Sequence, residues 1–283
     1  MLRGLLVKNL ALNVRAFAAT PSKGPLIVER LQDENKGIVL LKLYKPETKN
    51  AISKLLLEQL VQTLDDLKFD KDARVVILKS DVAGTFCTGA DLKERKLMPV
   101  EDVPKFVDKL RKMTVSLSSL PIPVIAVIDG YALGGGLEIA LSCDIRIAEA
   151  KSKLGLVETK LAIIPGAGGT QRLIRAVGVS KAKELIYTAK MIGAKEAESI
   201  GLINHCVEGD ATAKAFEMAK QIIKNGPIAI KLAKIAIDEG SEVSISHGFK
   251  FEQQCYAQVI PTLDRIEGLK AFAEKRTPVY KGH

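Results

Sequence analysis

The sequence predicts an α/β core followed by a helical C-terminal portion. Three observations carry this reading. Short β-branched runs bounded by turn residues recur from Gly37 onward. Segments with apolar residues at helical spacing separate them. Beyond "INHCV", the last strand-like run, only helical patterns remain.

"GIVLLKLYKP" (Gly37 to Pro46) and "ARVVILKS" (Ala73 to Ser80) read as strands. Between them Leu56, Leu60, Leu64 and Leu67 recur at helical spacing, and Ser53 can cap that helix by accepting from an otherwise unpaired amide. The next helical run, through Phe106, Leu110, Met113 and Leu117, stops before Pro121. "PVIAVID" is a third strand, followed by a glycine-rich entrance, a short helix and the strand "DIRIAEA". Strands joined by crossover helices run parallel. From Ala211 to Lys275 helical patterns fill the chain, interrupted at "NGP" (Asn225 to Pro227), where Gly and Pro punctuate two helices. The expected division is a core over residues 24–225 and a helical region over 226–283.

The first twenty residues, "MLRGLLVKNLALNVRAFAAT", are of another kind: Arg3, Lys8 and Arg15 are present, and no acid occurs before Glu29. Leu2, Leu5, Leu6, Leu10 and Leu12 can line one helical face. A basic, acid-free, amphipathic stretch fits a mitochondrial presequence over residues 1–20, and hence the matrix, better than a secretory signal. A plain N-terminal extension is the alternative.

With 283 residues the chain holds one large domain, or one with an appendage. No run of about eighteen uncharged apolar residues exists, so no membrane span is expected. The net charge of +9 suits an anionic small ligand as well as nucleic acid, while 5% aromatics and no Trp argue against a base-stacking surface. Cys87, Cys143, Cys206 and Cys255 are widely spaced and read as free thiols of a reducing compartment. His205, His247 and His283 do not cluster, so no metal site is expected.

Four local features carry candidate chemistry. In "FCTGADLKE" (Phe86 to Glu94) small residues leave backbone N–H groups unblocked, and such groups can bind a developing oxyanion. A plain strand-to-helix turn has the same composition. In "GYALGGGLEIALSCDIR" (Gly130 to Arg146) three glycines let the backbone approach a ligand, and Glu138 follows among Leu137, Ile139, Ala140 and Leu141 with little wet face to occupy. In "LGLVETKLAIIPGAGGTQRL" (Leu154 to Leu173) Glu158 precedes an apolar run and another glycine-rich turn. That turn lacks the third glycine of a dinucleotide fingerprint and has no Walker lysine, so a nucleotide phosphate is a poor fit. A single N–H there, such as that of Gly166, can hold a water. Two carboxylates in apolar surroundings, Glu138 and Glu158, suit a general acid and a general base that titrate as a pair, provided the fold brings them together. The tail "DRIEGLKAFAEKRTPVYKG" reads as a solvated helix face, or as one offering Lys275 and Arg276 to an anion.

Taken together these residues resemble the enoyl-CoA hydratase/isomerase, or crotonase, superfamily from about Leu26 onward. The "GAD" loop, "GYALGGGLE", a second Glu twenty residues after the first, "IPGAGGTQRL" and "EGLKAFAEKR" carry the resemblance. "LVETKLAIIPGAGGTQRL" and "CYAQVIPTLDRIEGLKAF" look most like its methylglutaconyl-CoA hydratase branch. The resemblance implies a crotonase-like right-handed spiral of ββα units, with C-terminal helices that build a homotrimer or a dimer of trimers. It implies an oxyanion hole formed by the N–H groups of Ala90 and Gly135, which polarise the thioester carbonyl of an α,β-unsaturated acyl-CoA. Glu138 would activate water for attack at the β-carbon, Glu158 would deliver a proton to the α-carbon, and the Gly166 N–H would help hold the water. Asp91, Leu92 and Lys93, with Lys49 and Ala51, would border the CoA strip, and Lys275 would touch the CoA of a neighbouring subunit. CoA enters as part of the substrate, and neither a metal nor a redox cofactor is implied.

Hydration of 3-methylglutaconyl-CoA in leucine degradation is the reading this favours. Hydration of short- or medium-chain enoyl-CoA in fatty-acid oxidation is the near alternative. Methylglutaconyl-CoA carries a distal carboxylate, and the sequence alone names no cation to receive it. Some members of that branch are described as binding AU-rich RNA through a lysine-rich first helix. Here Lys49, Lys54, Lys68 and Lys71 are interleaved with Glu58, Asp65, Asp66, Asp70 and Asp72, which repel phosphates and put RNA binding in doubt.

Overall fold

The computed structural model describes residues 24–283, so the expected presequence lies outside the described residues. Strands and helices follow the chain as β1 (Leu26–Arg30), β2 (Ile38–Leu43), α1 (Lys54–Lys68), β3 (Val75–Ser80), β4 (Thr85–Cys87), α2 (Leu92–Leu97), α3 (Val103–Ser118), β5 (Val124–Ile128), β6 (Tyr131–Leu133), α4 (Gly135–Leu141), β7 (Ile145–Glu149), β8 (Lys153–Gly155), α5 (Gly169–Val177), α6 (Val179–Tyr187), β9 (Ile192–Gly193), α7 (Ala194–Ser199), β10 (His205–Val207) and four helices, α8 (Ala211–Ile222), α9 (Pro227–Ser241), α10 (Ile245–Val259) and α11 (Leu263–Ala273).

The strands form two sheets, one in the order β1-β2-β3-β5-β7-β10 and one in the order β4-β6-β8-β9. Successive strands alternate between them: β3, β5 and β7 enter the large sheet, and β4, β6 and β8 the small one. Each coil of chain therefore contributes one strand to each sheet and then a helix. The expected parallel pairing holds through β2, β3, β5, β7 and β10, whereas β1 on β2 and β9 on β8 are antiparallel. An antiparallel edge strand needs no crossover, which is why β1 joins β2 through a short link.

Both faces of the large sheet are buried, and alternation along each strand divides its residues between two cores. Val39, Leu41, Val76 and Leu78 face the main core, where they meet Leu56, Leu60 and Leu64 of α1 and Leu110, Met113 and Leu117 of α3. Ile38, Leu40, Val75 and Ile77 face the other way, onto Ala211, Ala215 and Ala219 of α8. Those alanines, four residues apart, let α8 lie close on the sheet. Ser53 caps α1 as its position in the sequence suggests, accepting from the Leu56 N–H at 3.2 Å.

Beyond α8 the chain leaves the sheets. α9 begins at Pro227, after the "NGP" break, and Lys234 ties it back to the core through an ion pair to Asp144 at 2.9 Å. Large apolar side chains on the last helices remain exposed, among them Ile245, Phe249, Tyr256, Leu269 and Phe272. Among the described residues, no helix is long and apolar enough to cross a membrane.

Candidate active site

The cleft is assembled from two loops that meet backbone to backbone. In the first, the Ile52 N–H donates to the Gly89 carbonyl at 2.7 Å and the Asp91 N–H donates to the Ile52 carbonyl at 3.2 Å. This parallel bridge pairs Ile52 with Ala90 through the neighbours of Ala90, so the Ala90 N–H itself faces the opposite side. In the second, Gly135 is the first residue of α4, where no carbonyl of a preceding turn reaches its N–H. Among the described residues neither amide donates a hydrogen bond.

Each glycine of the triplet answers a different constraint. Gly134 adopts φ 51° and ψ −125°, a conformation open to Gly alone. A Cβ on Gly135 would lie 2.9 Å from Ile52 Cδ1 and 3.8 Å from the Ala90 nitrogen. A Cβ on Gly136 would lie 2.2 Å from the Cys87 carbonyl oxygen. The sequence therefore spends three residues of poor helix propensity to seat α4 against β4 and the Ala90 loop.

Glu138 is one turn into α4 and 2% exposed. Its Oε1 accepts two backbone N–H groups, from Ala167 and Gly169, each at 2.7 Å. Those amides are aimed by a turn in which Gly168 has φ 106°. The turn is clamped from outside: Arg111 Nε donates to the Gly166 carbonyl at 3.2 Å, and Thr114 Oγ1 donates to the Ala167 carbonyl at 2.7 Å. Burial raises the Glu138 pKa, against the opposing pull of the two amides and of the Arg172 and Arg111 charges.

Glu158 opens a 3₁₀ turn just after β8, which Thr159 ties to the Ile186 carbonyl at 2.8 Å. Both its carboxylate oxygens are shut away from solvent, and neither accepts a hydrogen bond from another described residue. Burial is the main cause that pushes its pKa up to about 7, against the pull of its own backbone N–H, and the negative charge of Glu138 adds to the rise. Gly134 joins the two acids: its carbonyl accepts the Glu138 N–H at 3.0 Å, and a Cβ on it would lie 3.3 Å from Glu158 Oε1.

The pair is therefore asymmetric. A carboxyl held by two N–H donors from a neighbouring turn is better able to carry charge than one with no donor from another residue. Of the two, Glu158 is the acid whose surroundings do least to hold a charge. Its raised pKa also has a consequence for stability. Between the ordinary 4.5 and about 7 the folded chain binds a proton that the unfolded chain has released, so stability falls as pH rises through that window. Glu158→Gln removes this loss. Partial solvent screening trims the effect, and the variant is expected to exceed the wild type by about 2 kcal/mol at pH 8 and to match it near pH 4. Urea melts at the two pH values check this.

The remaining sequence candidates divide into two groups. The Thr88 hydroxyl donates to the Lys49 carbonyl at 3.2 Å, which lays the Lys49–Ala51 segment beside the Ala90 loop. Leu92 and Lys93, the first two residues of α2, are exposed. Asp91 is buried, and its carboxylate is already committed: it accepts from the Lys93 and Glu94 N–H groups at the start of α2, with Lys45 Nζ at 3.6 Å. Its side chain therefore shapes the loop, leaving its backbone to face a ligand. Lys275 follows α11 in the helical region and belongs to none of the elements that build this cleft. The Gly166 N–H takes no partner among the described residues. Sequence reasoning missed the Ala167 and Gly169 amides, although the "GAGG" spacing that creates them was in view. Among the described residues, no group of three His, Cys, Asp or Glu could hold a metal ion.

Two unpaired amides beside two buried carboxyls suit a polarised carbonyl and a proton transfer next to it. The chain belongs to the enoyl-CoA hydratase/isomerase family, which it matches over residues 33–283. It is 53% identical over 262 residues to the mitochondrial methylglutaconyl-CoA hydratase of Homo sapiens, covering 91% of this chain and 77% of that one. It is 46% identical over 260 residues to the human enoyl-CoA hydratase domain-containing protein 2, mitochondrial, covering 90% and 89%. Among solved structures, an enoyl-CoA hydratase from Bacillus anthracis matches with TM-score 0.88 at 47% identity, over 92% of this chain and 100% of that one. An enoyl-CoA hydratase from Geobacillus kaustophilus HTA426 matches with TM-score 0.87 at 31% identity, over 93% and 98%. The α/β crotonase-like fold expected from the sequence is the fold observed.

Proposed function

We propose that this protein adds water across the α,β double bond of an enoyl-CoA thioester, with 3-methylglutaconyl-CoA as substrate. The observation that carries the reading is the unequal treatment of the two acids, one held by amides at 2.7 Å and the other left without a donor. The thioester oxygen accepts from the Ala90 and Gly135 N–H groups. Glu138, charged, takes a proton from water as the water oxygen bonds to the β-carbon. The double-bond electrons move toward the thioester, and the enolate oxygen is stabilised by the two amides. Glu158 then gives its proton to the α-carbon, and the Gly166 N–H steadies the water. After product leaves, the proton gained by Glu138 passes to Glu158 and resets the pair.

The choice of methylglutaconyl-CoA rests on the 53% identity to the human hydratase of that name, and the mitochondrial location on the names of such relatives; placement in the matrix follows from the basic, acid-free N-terminal stretch. The exposed apolar side chains of α10 and α11 support a homotrimer or a dimer of trimers, in which Lys275 would reach the CoA of a neighbour. RNA has no place in this reading, because Glu58, Asp65 and Asp66 share the exposed face of α1 with Lys54 and Lys68.

Loss of enoyl absorbance with 3-methylglutaconyl-CoA and with crotonyl-CoA tests the proposal. Turnover that favours the first is the expected result. A preference for crotonyl-CoA would move the protein to fatty-acid oxidation, and turnover of neither would refute hydration.

A further inference from the structure

We propose that Arg95 receives a carboxylate carried at the far end of the acyl chain, and so selects a dicarboxylic acyl-CoA over a plain one. The inference rests on the hydratase reading above and names the group that gives it its substrate class.

Arg95 is set apart by what it lacks. Every other described arginine binds an oxygen, whether a carboxylate, as Arg30, Arg175 and Arg276 do, or a carbonyl, as Arg111, Arg146 and Arg172 do. Arg95 has no oxygen acceptor among the described residues. Its Nη1 faces the Met98 sulfur at 3.7 Å, and its guanidinium carbon lies 5.0 Å from the centre of the Phe106 ring. Half-buried, it pays for desolvation with no anion nearby, and that burial lowers its pKa. Stacking on a ring fixes the plane of the guanidinium and leaves its edge, with paired N–H donors, free for a planar carboxylate.

Its place in the fold suits this role. Arg95 is one turn into α2, which begins two residues after Ala90, and its N–H bonds to the Asp91 carbonyl at 2.9 Å. Phe106, beneath it, belongs to α3. The next residue of α3, Val107, lies 3.0 Å from where a Cβ on Gly166 would sit, and Arg111 one turn further holds the Gly166 carbonyl. One wall thus runs from the Arg95 guanidinium to the turn that grips Glu138. An acyl group whose thioester oxygen sits at Ala90 and whose β-carbon lies between the acids extends along that wall. Of the other cations near the cleft, Lys45 is paired with Asp91, Arg111 and Arg172 hold loop carbonyls, and Lys49 and Lys93 belong to the segments read above as the CoA strip.

The test is Arg95→Met, with kcat/KM measured for 3-methylglutaconyl-CoA and for crotonyl-CoA, which has no distal carboxylate. A fall of about 30-fold or more for the first, with crotonyl-CoA changed by less than about 3-fold, is expected for loss of a buried charge pair. Arg95→Lys should recover part of the loss, since it keeps the charge and forfeits the fork. A parallel fall with both substrates, or no change with either, would overturn the proposal. If Arg95→Met does not fold, wild-type affinities for glutaryl-CoA and butyryl-CoA decide: about tenfold tighter binding of glutaryl-CoA supports it and equal binding sinks it. Wild-type protein that hydrates only crotonyl-CoA removes the role of Arg95 and leaves the hydratase reading standing. Protein that hydrates neither removes both.

Discussion

Glu158→Gln is expected to lower kcat for hydration by about 10²–10⁴-fold, with KM changed little. The side chain keeps its shape and loses only the proton it can give. No other described residue donates to its carboxyl oxygens, so the amide breaks no inherited hydrogen bond. The same variant should stop exchange of the α-proton of the hydrated product with solvent deuterium, because that proton returns through Glu158. Glu138→Gln is expected to lower kcat comparably by a different route. Its Oε1 can still accept from Ala167 and Gly169, so the turn stays in place, but an amide cannot take a proton from water. Steady-state kinetics of both variants, with circular dichroism as the check on folding, decide the matter. Wild-type turnover in either would remove that residue from the mechanism.

Gly136→Ala is expected to be the most damaging small change in the cleft. The added Cβ would meet the Cys87 carbonyl oxygen at 2.2 Å and its carbonyl carbon at 2.8 Å. Both atoms belong to the backbone of buried β4, so no side chain can swing aside. Relief requires α4 to move off β4, carrying the Gly135 amide away from that of Ala90. Overpacking of a rigid core costs about 1–3 kcal/mol, and a backbone clash this close belongs at or beyond the top of that range. Urea denaturation should show a loss of about 3 kcal/mol or more, with hydration falling even where the protein remains folded. Gly84→Ala is the control: a Cβ there meets nothing within 4 Å, although φ 70° disfavours a side chain. It should cost about 1 kcal/mol and spare activity.

What the sequence disclosed follows from element length and from how local each signal is. α1 and α3 run 15 and 16 residues, long enough for leucine spacing to show, and β2 and β3 are six-residue runs of nearly pure aliphatic character. The small sheet was invisible because β4, β6 and β8 have three residues each and β9 two, too short for alternation to register. β1 also escaped, although "LIVER" is strand-like in hindsight. Glu138 stood out because a charge inside an apolar helix has no local reason to be there. Its partners did not, because the amides that hold it come from 29 and 31 residues away. Asp91 was read as a ligand contact, yet "DLKE" also carries a helix-start signature, and the structure spends its carboxylate on that cap. Arg95 gave no sign at all. The absence of an acceptor is a fact of three-dimensional surroundings, and the four central residues of "LKERKL" are all charged.

The central claim is that Glu138 and Glu158 share one water opposite the Ala90 and Gly135 amides. A crystal structure with acetoacetyl-CoA, an enolate mimic, tests it most directly. The account predicts the thioester oxygen about 2.7–3.1 Å from both amide nitrogens, with Glu138 turned toward the β-carbon and Glu158 toward the α-carbon. A thioester oxygen bound elsewhere, or a ligand that reaches only one of the two acids, would contradict it.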